Sequence, residues 1–181
     1  MNDTWLTVDP GTDYTGVAAW DAGEDWTRSV PPTSTALLRP ELPRSADWYD
    51  RAMCQADGLR RFIETIRAPI AGGGTGGMVP ATRIVEMAIE WPEVWGGSAM
   101  ADAAAKTGST PKLCFLVGAF AKVAHDFAIP FRPVTVNEWK GQLSKPQAIR
   151  RIRKVLGCHA NAYIRDEWDA VGIGLFLKGH F

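Results

Sequence analysis

Cysteine is scarce in this sequence. Cys54, Cys114 and Cys158 are an odd number at wide spacing, and none has a second Cys or a His at the two-to-four residue interval that zinc sites use. A zinc centre is excluded, and the three read as reduced thiols of core or surface. The adjacent Cys158-His159 lacks two further ligands and is assigned no role. Long apolar runs are missing too: no stretch of about 18 apolar residues occurs, and Met1-Asn2-Asp3 opens neither a basic region nor an apolar one. Neither a membrane span nor a secretory signal is expected, so the expectation is a cytoplasmic protein with no membrane partner. With 46% hydrophobic and 22% charged residues in 181, the chain reads as one globular domain, 1–181.

Net charge is also absent, since 20 Lys and Arg balance 20 Asp and Glu. That is a poor start for binding a polyanion, but the distribution is uneven. Residues 1–105 hold eight Lys and Arg against fifteen Asp and Glu, a net −7, and residues 131–165 hold eight against one, a net +7. Such asymmetry predicts a basic face from one segment beside an acidic site assembled from others.

Trp5 to Asp9 reads as a strand, Pro10-Gly11-Thr12-Asp13 as a turn, and Thr15 to Trp20 as the returning strand of a hairpin. Thr33 to Leu38 is a third strand candidate. Trp48, Ala52, Ala56, Leu59, Ile63 and Ile66 recur at helical spacing over 47–66. The glycine run 72–77 precedes a strand and lacks the Gly-Lys-Ser/Thr ending of a phosphate loop, so it reads as a connector. Arg83 to Glu90 is an apolar strand ended by Trp91-Pro92. A second helical stripe runs from Leu113 to Phe127, then a strand from Phe131 to Val136. Ser144-Lys145-Pro146-Gln147 is a capping box opening a third helix, and a last helix spans about Asp166 to Leu177. This order predicts an α/β fold, a mixed five-stranded sheet flanked by helices with its crossover strands parallel.

Sites in such sheets form beyond the carboxyl ends of parallel strands, which is where Asp9 and Glu90 fall. Glu86 is a rival for Glu90 because it shares its face of the strand. Asp166 and Asp169, three apart on a helix, share one face. Converging carboxylates without His or Cys suit Mg2+ or Mn2+, and two such ions about 3.5–4 Å apart support phosphodiester hydrolysis. Asp9 is the expected bridging ligand. Each part has a plainer reading: an Asp before Pro-Gly is a common turn former, and Asp166 with Glu167 can cap a helix.

Leu6-Thr7-Val8-Asp9-Pro10-Gly11, with Gly16 five residues on, resembles the first motif of the RuvC-type Holliday junction resolvases of the ribonuclease H-like class. Ala88-Ile89-Glu90 resembles the second, and Asp166-Glu167-Trp168-Asp169-Ala170 the paired C-terminal acidic motif. The likeness runs over nearly the whole chain in the family's order. It implies a homodimer that nicks opposing strands of four-way and other branched DNA, with two metal ions per site and no small-molecule cofactor, leaving 5′-phosphate and 3′-hydroxyl ends. Asn137-Glu138-Trp139-Lys140-Gly141 and Lys145 fall where the family carries basic residues near the scissile phosphate, which gives Lys140 and Lys145 a part in catalysis. The short interval between those lysines, and Asp13 at a turn position where a basic residue is common, resemble the compact, phage-encoded branch of the family, acting in a bacterial cell.

Arg132, Lys140, Lys145, Arg150, Arg151, Arg153, Lys154 and Arg165 are dense enough to track DNA phosphates, although a solvated helix face is the usual fate of a charge run. Trp91, Trp95 and Trp139 are candidates for stacking on an unpaired base, with core packing the commoner role. Three rivals remain open: a non-catalytic branched-DNA binder of the same fold, an actin-like nucleotide-binding protein, and a generic exonuclease or ribonuclease of the same fold class.

Overall fold

In β1 (Asp3–Asp9) the side chains alternate between two different environments, and that alternation sorts the whole molecule into layers. The computed structural model describes residues 3–23, 31–68, 70–71, 78–79, 82–92, 108–157, 159 and 167–181. β1 pairs antiparallel with β2 (Thr15–Asp21), placing Thr7 opposite Ala18 and Asp9 opposite Gly16. A Cβ on Gly11 in the connecting turn would collide with the carbonyl oxygen of Tyr14, so the turn requires glycine. β3 (Ser34–Leu38) extends the meander beside β2.

On the other side of β1 lies β6 (Arg83–Trp91), parallel to it, and beyond that β7 (Phe131–Thr135), parallel to β6. The sheet order is β3-β2-β1-β6-β7, the mixed five-stranded sheet expected from the sequence. Pro133 is accommodated because β7 is an edge strand, where the lost N–H breaks no second ladder. A small ribbon of β4 (Ile70–Ala71) and β5 (Met78–Val79) was not anticipated.

Leu6, Val8, Met87 and Ile89 face α1 (Trp48–Arg67) and α2 (Ser109–Asp126), whose stripes Ala52-Ala56-Leu59-Ile63 and Leu116-Phe120-Val123 complete that core. Trp48 departs from its expected place in the core: it stands at the start of α1, 40% exposed, edge-on to Phe115. The opposite face carries Ala18, Trp20 and Ala88. It is covered by α3 (Val136–Trp139), a single turn not expected from the sequence, α4 (Lys145–Leu156) and α5 (Trp168–Leu177). The Ser144/Gln147 capping box at the start of α4 is present as predicted.

Every residue of α5 from Trp168 to Leu175 is buried, so this helix packs on all sides. Two glycines permit that. A Cβ on Gly174 would overlap the Trp20 ring, and one on Gly172 would lie 2.5 Å from Trp139 and 3.0 Å from Ile152. Thr7 then fastens helix to sheet, donating from Oγ1 to the carbonyl of Ala170 at 2.8 Å and accepting from Trp20 Nε1 at 2.9 Å. Thr7→Val, of similar shape, leaves a buried indole N–H without its acceptor. Chemical denaturation is expected to record a loss of about 1–3 kcal/mol.

Candidate active site at the carboxyl ends of β1 and β6

The alternation that turns Thr7 toward α5 also turns Asp9, two residues on, to the same face. One step beyond the Val8–Ile89 pair, the parallel register sets Glu90 beside Asp9, with Val134 on its other flank. Asp169 completes the group from the first turn of α5, where exposed backbone N–H groups favour a carboxylate. It is the sole charged residue of that helix, and it is buried. The structure therefore brings Asp9, Glu90 and Asp169 together. Asp166 lies outside the described residues. Glu86, the rival for Glu90, faces Arg132 across an ion pair of 3.8 Å and takes no part in the group.

These carboxylates disturb one another. Burial first, then the charges of Glu90 and Asp169, pushes the Asp9 carboxyl well above its ordinary 3.8, against the pull of Lys145 and Lys140. Burial also raises Glu90; the Trp139 hydrogen bond draws it back down, Asp169 adds to the rise, and both lysines oppose it. Lys145 Nζ meets Asp169 Oδ2 at 2.6 Å, and Lys140 Nζ stands 3.8 Å from Oδ1. Asp169 Oδ1 is buried with no hydrogen-bond donor among the described residues.

Among the described residues, no three His, Cys, Asp or Glu side chains are gathered closely enough to ligate one ion as they stand. The donor chemistry nevertheless fits a hard divalent cation: all oxygen, strongly repulsive, and including one buried oxygen that lacks a partner. Two ammonium groups, those of Lys140 and Lys145, bring positive charge to this cluster.

Trp139 corrects the sequence reading. It is 2% exposed, packed on Gly172, and its indole N–H donates to Glu90 Oε2 at 2.9 Å. A ring so enclosed cannot stack on a base; it positions Glu90. Trp91, by contrast, is 44% exposed at the end of β6, edge-on to Phe131. Trp95 and Arg165 fall outside the described residues, as do the glycine run 72–77 and Cys158. Arg150, Arg151, Arg153 and Lys154 are exposed along α4, where Gln147, Arg150, Arg151, Lys154 and Val155 line an open cavity of about 620 Å3. Arg151 lies over Phe181 and Arg153 over Trp168, so their stems are held against the protein surface.

The sequence reading missed Gln55. It is buried in α1, accepts from Thr15 Oγ1 at 2.5 Å, and donates to the carbonyls of Gly11 and Thr12, which anchors the turn that follows Asp9. Its signal was available: a glutamine set among the apolar positions 52, 56 and 59 is out of place unless it has partners.

No protein-family model matches the sequence, and no curated protein does. Solved structures do. Thermus thermophilus RuvC in complex with a Holliday junction substrate superposes with a TM-score of 0.63 at 13% identity, over 96% of this chain and 90% of that one. The chain has the fold of RuvC. A second structure of Thermus thermophilus RuvC gives 0.59 at 13% identity, covering 96% of this chain and 92% of the other. At this identity the likeness is one of fold, and it agrees with the mixed five-stranded sheet flanked by helices expected from the sequence.

The raised Asp9 carboxyl has a consequence for stability. A carboxyl whose folded pKa exceeds its unfolded value costs nothing below the unfolded value of 3.8, where both states are protonated. The cost grows as pH rises toward the folded value and is complete above it. In a chelator, Asp9→Asn is therefore expected to melt above the wild type at neutral pH, with the gap closing as pH falls toward 3.8. A gap independent of pH would contradict this assignment.

Proposed function

We propose that this chain is a metal-dependent endonuclease that resolves four-way and other branched DNA junctions by paired nicking, leaving 5′-phosphate and 3′-hydroxyl ends. The observation that carries the reading is the convergence of Asp9, Glu90 and Asp169 on one face of the sheet with Lys140 and Lys145 against them. The shared fold adds to it, since one of the similar structures is RuvC in complex with a Holliday junction substrate.

In this reading Asp9, Glu90 and Asp169, together with Asp166, hold two Mg2+ or Mn2+ ions. Those ions, when bound, activate a water and stabilise the leaving oxygen of the cut phosphodiester. The protein's own groups do the rest. Trp139 fixes the rotamer of Glu90 through its N–H. Lys140 and Lys145 keep the carboxylates compensated without metal, and beside a bound phosphate they neutralise its charge. The exposed Arg150, Arg151 and Lys154 on α4 extend this positive surface and track the DNA backbone. A homodimer presents two such sites to a nearly two-fold junction, so that opposing strands are both cut. The negative residues 1–105 supply Asp9 and Glu90, whereas the positive residues 131–165 supply the contacts to DNA.

Labelled four-way junction, linear duplex, single strand and RNA–DNA hybrid, each incubated with Mg2+ or Mn2+, test this directly. The junction is expected to be cut in preference to the others. Asp9→Asn and Glu90→Gln should abolish cleavage while leaving junction binding equal or tighter, because each removes a negative charge near phosphate. Loss of binding along with cleavage would count against the reading. Lys145→Ala is expected to slow single-turnover cleavage by roughly tenfold or more, the scale of losing one charged contact to a transition state.

Trp139→Phe separates positioning from stacking. It keeps most of the buried ring and removes only the N–H on Glu90, so cleavage should slow while junction Kd stays within about twofold. A Kd that rises as steeply as the rate falls would restore a direct DNA contact for Trp139.

A further inference from the structure

A second cluster of cations lies on the far side of the turn that follows Asp9. The N-terminal parts of α1 and α2 flank a cavity of about 330 Å3, lined among others by Thr12, Asp13, Arg44, Trp48, Arg51 and Lys112. Three cations face a single carboxylate there. Arg51 is only 12% exposed: its NH2 holds Asp13 Oδ1 at 2.8 Å, its NH1 reaches the Arg44 carbonyl at 3.3 Å, and its Nε–H is buried with no acceptor. Asp13 also meets Arg44 at 3.7 Å. Lys112 has no ion-pair partner among the described residues.

Asp13 is too small a counter-charge for this group. It satisfies one edge of Arg51 and leaves the Lys112 ammonium and the outer side of the exposed Arg44 to another anion. Guanidinium and ammonium groups lining one cavity suit an anion with several oxygens, and a phosphate offers them in the geometry that arginine matches best. The N-terminal ends of two long helices, α1 and α2, add partial positive charge at the same place. Gln55 ties this wall to the carbonyls of Gly11 and Thr12, so the cavity is rigidly coupled to the segment carrying Asp9.

We propose that this cavity is a second seat for a DNA backbone phosphate, in which Arg44, Arg51 and Lys112 bind the strand whose neighbouring phosphodiester lies at Asp9, Glu90 and Asp169. The inference rests on the nuclease reading for the position of that strand. The four residue-to-residue steps from Asp9 to Asp13 span at most about 14 Å, which corresponds to no more than about four nucleotide steps of ~3.4 Å rise. One strand can therefore occupy both places. In this chain the turn after Asp9 carries an acid, and its positive charge is supplied by α1, α2 and the segment before α1, recruited around Asp13.

The test uses the full chain and a labelled four-way junction, with Kd measured in a chelator across about 50 to 200 mM salt. Each of Lys112→Ala and Arg44→Ala is expected to lower the slope of log K against log salt by about 0.9, the loss of one phosphate contact. Kd at the lowest salt should rise by about three- to tenfold, and further for Lys112→Glu. Unchanged slopes in both alanine variants overturn the proposal. A weaker Kd with an unchanged slope and a lowered Tm assigns the effect to lost packing and also overturns it.

Inorganic phosphate and a deoxynucleoside monophosphate serve as the other arm. If either stabilises the wild type but not Lys112→Glu, while DNA binding of that variant is unaffected, the cavity takes free phosphate and the assignment to DNA is wrong. The two readings fail separately. A wild type that cuts no DNA, with the slope changes still present, removes the nuclease and keeps the seat. Normal cutting with unchanged slopes removes the seat and keeps the nuclease.

Discussion

Like charges held together under cover are the constraint around which the rest of this molecule is arranged. Asp9, Glu90 and Asp169 come from two strand ends and a helix start, and burial and mutual repulsion act in the same direction on Asp9. Desolvating an ion costs several kcal/mol even after a protein relaxes around it, an order-of-magnitude figure that no ordinary packing gain justifies. Lys140 and Lys145 offset part of that cost, and Trp139 offsets part of it at Glu90. The fold therefore keeps this cluster at a cost in stability.

The supports of the cluster are themselves apolar. Gly172 opens the space that the Trp139 ring fills, and that ring in turn holds Glu90. Gly174 does the same for Trp20, whose indole N–H meets Thr7, which holds α5 and therefore Asp169. Two aromatic wedges seated on two glycines thus translate close helix-to-sheet packing into the positions of carboxyl groups. The oxygen atoms are placed by the core, as a preorganised site requires.

Much of this is legible in the amino-acid sequence itself. The apolar run in 83–90 and helical spacing in 47–66 and 113–127 gave the layers, and strand-end carboxylates gave Asp9 and Glu90. Other features were hidden for identifiable reasons. The role of Trp139 depends on a contact 49 residues away with Glu90, so its place in a turn beside proposed site residues left stacking on a base and core packing both open. The turn Val136–Trp139 is too short for periodicity to reveal. Trp48 follows the helical stripe of α1 but stands in its first turn, beyond the reach of the sheet. Gln55 and the paired glycines of the last helix were visible exceptions to their local patterns, and exceptions of that kind marked the residues nearest the site.

Thr7 and Ala170, which lock α5 to the sheet, are 163 residues apart. A contact of such sequence separation forms late, because the entropy of closing so long a loop must be met before the contact rewards it. The acidic constellation is assembled by that same closure. Loosening of α5 from the sheet would accordingly carry Asp169 away from Asp9 and Glu90 while leaving the pairing of β1 with β6 intact, so the group is only as stable as the docking of that one helix.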